Sequence, residues 1–294
     1  MRVTLAAVAA LCLLPLGGCG DAPAQPGAVA QPVPLHGATV TPPEVDRALH
    51  EAEERSVGLC MQKRGFSYQP VPARQLPFTE NPYGLLSENE ASVDAYGITA
   101  LALTAAPDDP NLEVLARLES AGRAAWQATL TGTAQHRIVL AAPGAATLTI
   151  STDGCAFIGR ETLYGQGWEQ QQLTLDGLSA DIVSTVLADA GFRKGEKAWA
   201  TCMRRLGEVA ESLQQARGLI QEAVTRADDR ASLRRVGTDE LRIARHDAAC
   251  QHQANLAEVV RSVQDRVQAQ LPESSWRVVG SVIDGRQRAL RSGR

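Results

Sequence analysis

Apolar residues recur at helical spacing along most of this chain. Val45, Leu49, Ala52, Ser56, Leu59 and Cys60 fall on one stripe, the pattern of an amphipathic helix. Thr41-Pro42-Pro43-Glu44 precedes it and supplies a Thr cap, a Pro at the first helical position and a Glu three residues after the cap. Gly65 is suited to a left-handed stop, with Phe66 packing back on the last turn. Residues 67–88 lose the period. They are rich in Pro and Tyr, with turn chemistry at Asn81-Pro82-Tyr83-Gly84, and they predict an irregular loop that covers the core. Phe78 and Tyr83 are its candidate contact residues. Leu112, Leu115, Ala116, Leu118 and Trp126 predict a helix over 111–130. β-Branched residues at 137–140 and 147–151, around Ala141-Ala142-Pro143-Gly144, predict a short hairpin. Helices follow at 155–164, stopped by Gly165, and at 179–190, stopped by Gly191.

The second half reads as helical throughout. One helix covers 196–206, with Trp199, Cys202 and Met203. Another covers 208–227, with Val209, Leu213, Ala216, Ile220 and Val224. Thr238 is placed to cap a long helix reaching Leu271 and ended by Pro272. Its stripe is Ile243, Asp247, Cys250, Ala254, Ala257, Val260, Val263 and Val267. A last helix over 274–290 has a basic end in Arg286, Arg288, Arg291 and Arg294. The expected fold class is mainly α: a helical, disulfide-stapled domain over 44–294 with one small β-hairpin. Two lobes meeting near 166–195 are the alternative.

The N-terminus follows a different rule. After Arg2, residues 3–16 are apolar, and Leu16-Gly17-Gly18-Cys19 closes the run. The run has the length of a signal-peptide core and is short for a bilayer span. The ending resembles the lipobox of bacterial lipoproteins, which implies cleavage after residue 18 and lipid on the Cys19 thiol. Two or more acyl chains give stable anchoring where one is marginal. An ordinary secretory signal is the alternative. Residues 19–43 contain Pro23, Pro26, Pro32, Pro34, Pro42 and Pro43 without apolar periodicity, so they are expected to form a tether. It would reach about 25 Å as a coil and about 68 Å as polyproline.

Composition narrows the function classes. The chain has 294 residues, of which 44% are hydrophobic and 21% charged, enough apolar material for a core. No apolar run of membrane-spanning length follows the leader. With 29 basic and 33 acidic residues the net charge is −4, which carries no electrostatic footprint of a nucleic-acid binder.

Of six cysteines, Cys12 lies in the leader and Cys19 is the lipidation candidate. Cys60, Cys155, Cys202 and Cys250 remain. Four cysteines in an exported chain favour two disulfides, with three possible pairings. No C-x-x-C occurs, against a zinc or thioredoxin-like site. Cys60-Met61-Gln62-Lys63-Arg64-Gly65 and Cys202-Met203-Arg204-Arg205-Leu206-Gly207 both read C-M-x-[KR]-x-G. Each is followed by one further cysteine, so a duplicated half would pair Cys60 with Cys155 and Cys202 with Cys250.

Little else suggests chemistry. Asp247 interrupts an apolar stripe three residues before Cys250. It reads either as a buried carboxylate with raised pKa or, the expectation favoured here, as part of an ion pair or a hydrogen bond to a loop backbone. His246 and His252 are six apart on different faces and make no metal pair. His36, His50 and His136 are scattered. No G-x-S-x-G, H-E-x-x-H or Walker loop is present, and no metal or cofactor is expected. Glu53-Glu54, Asp108-Asp109 and Asp228-Asp229 read as solvated pairs, since helix neighbours point apart. A hydrolase would need two carboxylates facing across a sugar. The basic end could meet anionic lipid, but reads first as a solvated terminus.

Several segments together resemble a broad group of secreted and lipid-anchored proteins of actinobacteria, for which no activity is established. They are Cys60-Met61 with Gly65-Phe66, Asn81-Pro82-Tyr83-Gly84-Leu85, Leu130-Thr131-Gly132, and Gly154-Cys155 with Leu163-Tyr164-Gly165. Trp199-x-x-Cys202-Met203-x-x-x-Gly207 and Asp247-x-x-Cys250 complete the set. The resemblance implies that the repeated cysteines form a disulfide scaffold. The expected function is a non-catalytic envelope lipoprotein on the extracytoplasmic face of the membrane, binding an envelope protein or a cell-wall ligand. The alternative is a carboxylate-dependent cell-envelope hydrolase.

Overall fold

The computed structural model describes residues 31–74 and 81–292. The leader, Cys19, Phe78 and Arg294 lie outside the described residues. The helices are α1 (Pro43–Lys63), α2 (Glu88–Val93), α3 (Ile98–Leu103), α4 (Asn111–Ala116) and α5 (Ser120–Thr131). A hairpin follows, β1 (Arg137–Leu140) and β2 (Leu148–Ser151). Then come α6 (Cys155–Tyr164), α7 (Trp168–Ala188), α8 (Ala190–Arg205), α9 (Leu213–Arg226), α10 (Arg230–Gln253), α11 (Leu256–Gln268) and α12 (Glu273–Ser292). The fold is therefore mainly α with one antiparallel hairpin. From Gln31 onward the chain is one compact unit, against the two-lobe alternative. Among the described residues, no helix is long and apolar enough to cross a membrane.

Two disulfides staple the helices, Cys60–Cys155 and Cys202–Cys250. Both C-M-x-[KR]-x-G segments end their helices in the same way. Gly65 at φ 84° and Gly207 at φ 85° take the left-handed conformation. Phe66 N–H then donates to Met61 O and Glu208 N–H to Met203 O, each at 3.0 Å, which closes the last turn as a Schellman motif. Met61 and Met203 are both fully buried. The repeat is thus a staple, a core anchor and a stop in six residues.

Several boundaries differ from expectation. Helix α1 buries Leu49, Ala52, Val57 and Met61 and leaves Leu59 58% exposed. The face is rotated because α1 packs closely on α6. A Cβ on Gly159 would lie 3.2 Å from Val57, so the contact runs through Val57 and Cys60 rather than Leu59. The helix expected over 111–130 is two, α4 and α5. The helix expected from Thr238 to Leu271 breaks at Asn255, which is left-handed at φ 53°. Its cap is Asp229, in a reciprocal box with Ser232, and Thr238 lies mid-helix with its hydroxyl donating to Arg234 O. Likewise Ser212 caps α9, and Val209, outside that helix, is 75% exposed.

The hairpin is fixed at both ends. Arg137 pairs with Ser151 and Leu140 with Leu148. At its base, Asp153 accepts the Thr133 N–H at 2.8 Å and its hydroxyl at 2.6 Å. These bonds hold the Asp153 pKa down at about 2. At its tip, a Cβ on Gly177 of α7 would lie 2.2 Å from Pro143 O, so only glycine lets the turn dock there.

The expected tether does not run to residue 43. Pro34–Gly37 forms a short 3-10 turn whose Leu35 and His36 are left-handed. Leu35 is fully buried, and its N–H donates to Gln268 Oε1 at 2.6 Å. Arg286 donates to Ala38 O, and His36 stacks on Trp276. Two left-handed residues cost about 1–2 kcal/mol each. Burying a leucine returns about 1.5–3 kcal/mol, which offsets only part of that cost; the hydrogen bonds to Gln268 and Arg286 and the stacking on Trp276 add to it. Proline content masked it, because a single buried leucine in a left-handed turn has no period to read.

Candidate functional site

Non-helical backbone inside a helical domain needs hydrogen-bond partners. Residues 83–99 carry such backbone into the core, and α10 and α11 supply the partners. Glu240, Ala244, Asp247, Ala248 and Gln251 are all buried on one face of α10, as their spacing of three and four requires. Glu240 accepts the N–H groups of Ile98 and Thr99, both at 2.9 Å, and so caps α3. Gln251 accepts Leu86 N–H at 3.0 Å and donates to Gly84 O at 3.2 Å. On α11, Gln264 accepts the Tyr83 hydroxyl at 2.8 Å, one turn from Gln268, which holds the strap.

Asp247 lies at the centre of this seam, with no exposed surface. Its Oδ2 accepts the Tyr96 hydroxyl at 2.8 Å. Its Oδ1 accepts Trp199 Nε1 and Gln251 Nε2, both at 2.7 Å. Arg217 Nη1 stands 3.8 Å away, with its guanidinium 4.6 Å from the centre of the Tyr96 ring. Burial raises the Asp247 pKa, while Arg217 and the three side-chain donors oppose it. Burial beside Asp247 also drives the Tyr96 phenol far up. Asp247 is thus the buried carboxylate with raised pKa that the sequence offered as the less favoured reading; it also makes the favoured ion pair, but its hydrogen bonds come from side chains. The loop backbone is served by Gln251 and Glu240 instead.

Above Arg217 opens a cleft of about 590 Å³. Asn81–Gly84 forms one wall, Leu187, Phe192 and Glu196 another, and Ser212–Gln214 with Arg217 the third. Arg217 donates to Gly84 O at 2.8 Å, and Glu196 accepts Leu213 N–H at 3.2 Å. Tyr83 is buried at 2% exposure, so within the expected contact segment it covers the core, while Asn81 and Pro82 face the cleft.

A second cleft, of about 340 Å³, brings Glu53 and Glu169 to one surface beside Tyr164, Trp168, Arg160 and Arg286. Glu53 accepts the Tyr164 hydroxyl at 2.5 Å, and Glu169 is ion-paired with Arg160. Glu54 accepts the Tyr68 hydroxyl at 2.8 Å and Val71 N–H at 2.7 Å. The Glu53-Glu54 pair is thus structural, not solvated, because α1 is covered on both flanks. Asp108-Asp109 and Asp228-Asp229 are exposed.

His246 contacts Glu208 at 2.8 Å, and Arg242 closes on the same carboxylate. His252 is exposed at the end of α10. Among the described residues no group of three or more His, Cys, Asp or Glu could hold a metal ion. The basic end is partly internal: Arg288 donates to Tyr164 O at 2.6 Å, Arg286 serves the strap, and Arg291 is exposed. Sequence reasoning missed Tyr96, Arg217, Glu240, Gln251, Gln264 and Gln268. For the residues of α10 and α11 the available signal was polar side chains four and seven residues apart on otherwise apolar faces; Tyr96 and Arg217 carried none. Comparison with protein-family models, with curated proteins and with solved structures finds no match.

Proposed function

We propose that this protein is a non-catalytic lipoprotein of the bacterial cell envelope, anchored through Cys19 on the extracytoplasmic face and related to the actinobacterial group it resembles. Its role is to bind an envelope ligand in the cleft above Arg217. One observation carries the reading: the buried carboxylates Asp247 and Glu240 are each bound by structural donors, while the adjoining cleft presents mixed polar and apolar walls. Such a cleft is the form of a small-ligand site. Two disulfides suit an oxidising compartment.

The hydrolase reading finds its carboxylates, Asp46, Glu53 and Glu169, in the second cleft. Turnover of purified peptidoglycan and of model glycosides by the full mature chain separates the two readings. The binding reading expects none. Turnover lost in Glu53→Gln or Glu169→Gln would replace it with the hydrolase. For the anchor, Cys19→Ala should release the protein from membranes or block processing; a normally processed, membrane-bound variant refutes it.

A further inference from the structure

The cleft and the strap share a residue. Asn81 lines the cleft, its Nδ2 donates to Pro32 O at 2.9 Å, and its Oδ1 accepts Tyr83 N–H at 3.0 Å. The chain therefore enters the domain at the rim of the cleft, and the contacts of Leu35 and Ala38 pin it there. Eleven residues, 20–30, separate Cys19 from Gln31. They reach about 18 Å as a coil and about 40 Å when fully extended. A lipid on Cys19 would limit this rim to that distance from the bilayer.

The lining selects by charge and by shape. Arg217 is compensated from beneath by Asp247 at 3.8 Å, and its guanidinium is turned to Gly84 O and Leu213 O. Glu196, half-buried on the opposite wall, is the carboxylate among the described lining residues. Beside it stand Phe192, at the floor, and Leu187, which is 38% exposed. A carboxylate in a partly desolvated wall is a strong acceptor for an ammonium donor.

We propose that the cleft faces the membrane and takes the head of an amine-bearing phospholipid. Glu196 accepts from the ammonium group, and the exposed Leu187 lies against the glycerol and first acyl carbons. This rests on the lipid-anchor reading above.

The test uses the full-length lipidated protein in lipid nanodiscs of phosphatidylethanolamine, phosphatidylcholine or phosphatidylglycerol, with backbone hydrogen exchange read over residues 81–87 and 212–217. Exchange should be about tenfold slower in phosphatidylethanolamine than in either other disc, the ratio of one charge-assisted hydrogen bond. Glu196→Gln, which keeps an acceptor for Leu213 N–H, should abolish that difference with an unchanged thermal midpoint. Equal exchange in all three discs, with the protein shown to be disc-bound, overturns the lipid assignment and leaves the anchor standing. A difference that persists in Glu196→Gln overturns the recognition chemistry. Protection of the detergent-solubilised protein by free phosphoethanolamine assigns the cleft to a soluble ligand instead. A chain that is neither lipidated nor disc-bound removes the anchor and the inference together.

Discussion

The two C-M-x-[KR]-x-G staples share one local design and serve two different cores. The first, Cys60–Cys155, joins α1 to α6 over a small cluster of Val57, Met61, Trp126 and Cys155. The second, Cys202–Cys250, joins α8 to α10 at the edge of the main core, where Trp199, Met203 and Cys250 pack with most of the other buried residues. The hydrogen bonds, the glycine conformation and the buried methionine are the same in both. What differs is everything each helix end is packed against. Six residues can specify how a helix stops and where it is stapled, but not how much core depends on it.

The comparison breaks first at the disulfides. They close loops of 95 and 48 residues, and the chain-entropy model gives about 4.7 and about 4.1 kcal/mol respectively. If loop length governs, Cys60→Ala/Cys155→Ala should lower stability in urea more than Cys202→Ala/Cys250→Ala. The reverse order would show that the packing around Cys250 decides. Next come the anchors. Met61→Ala and Met203→Ala should each cost about 2–5 kcal/mol. Met203→Ala should be nearer the upper end, because it opens a space in the larger cluster, on which more of the core depends; chemical denaturation of both variants checks this.

The glycines should not differ at all. A Cβ on Gly65 or on Gly207 would meet nothing within 4 Å. Gly65→Ala and Gly207→Ala should therefore each lose about 1–2 kcal/mol through backbone conformation alone. A gap between them larger than the error of a urea titration would refute the shared cap. The smallest effect lies outside both staples, at Asp153. Its pKa falls in the fold from 3.8 to about 2, so its contribution is complete above the unfolded pKa. It is lost as pH falls through the folded one. Acidification from pH 4 to pH 2 should loosen the hairpin base, read as faster exchange at Thr133 N–H, and Asp153→Asn should remove that pH dependence.

The staples were legible because their signals are local. A cysteine, a following methionine and a glycine five residues after the cysteine fix a helix end without reference to the rest of the chain. The hairpin was legible for the same reason, from β-branched runs around a Pro-Gly turn. Helix α3 was not, because what caps it is distant: Glu240 reaches it from 142 and 141 residues away; helix α2 did carry a local signal, the Ser87–Glu90 capping box, which a reading by apolar period passes over. The seam around Asp247 shows where the limit falls. The sequence marks Asp247 as an odd polar residue on an apolar stripe, but its partners Tyr96 and Trp199 lie 151 and 48 residues away. Only the packed chain brings them to one carboxylate.

The strap also decides how the domain carries load. Pro32 O is held by Asn81 and Leu35 by Gln268, 233 residues further along the chain, so a pull arriving at Gln31 is met by the 81–84 loop and by α11 before it reaches α1. If that pull extracts Leu35, the ten residues 33–42 straighten to at most about 35 Å before tension reaches α1 and its disulfide. Release of the buried leucine would then lengthen the chain ahead of α1 without stretching the stapled helices themselves.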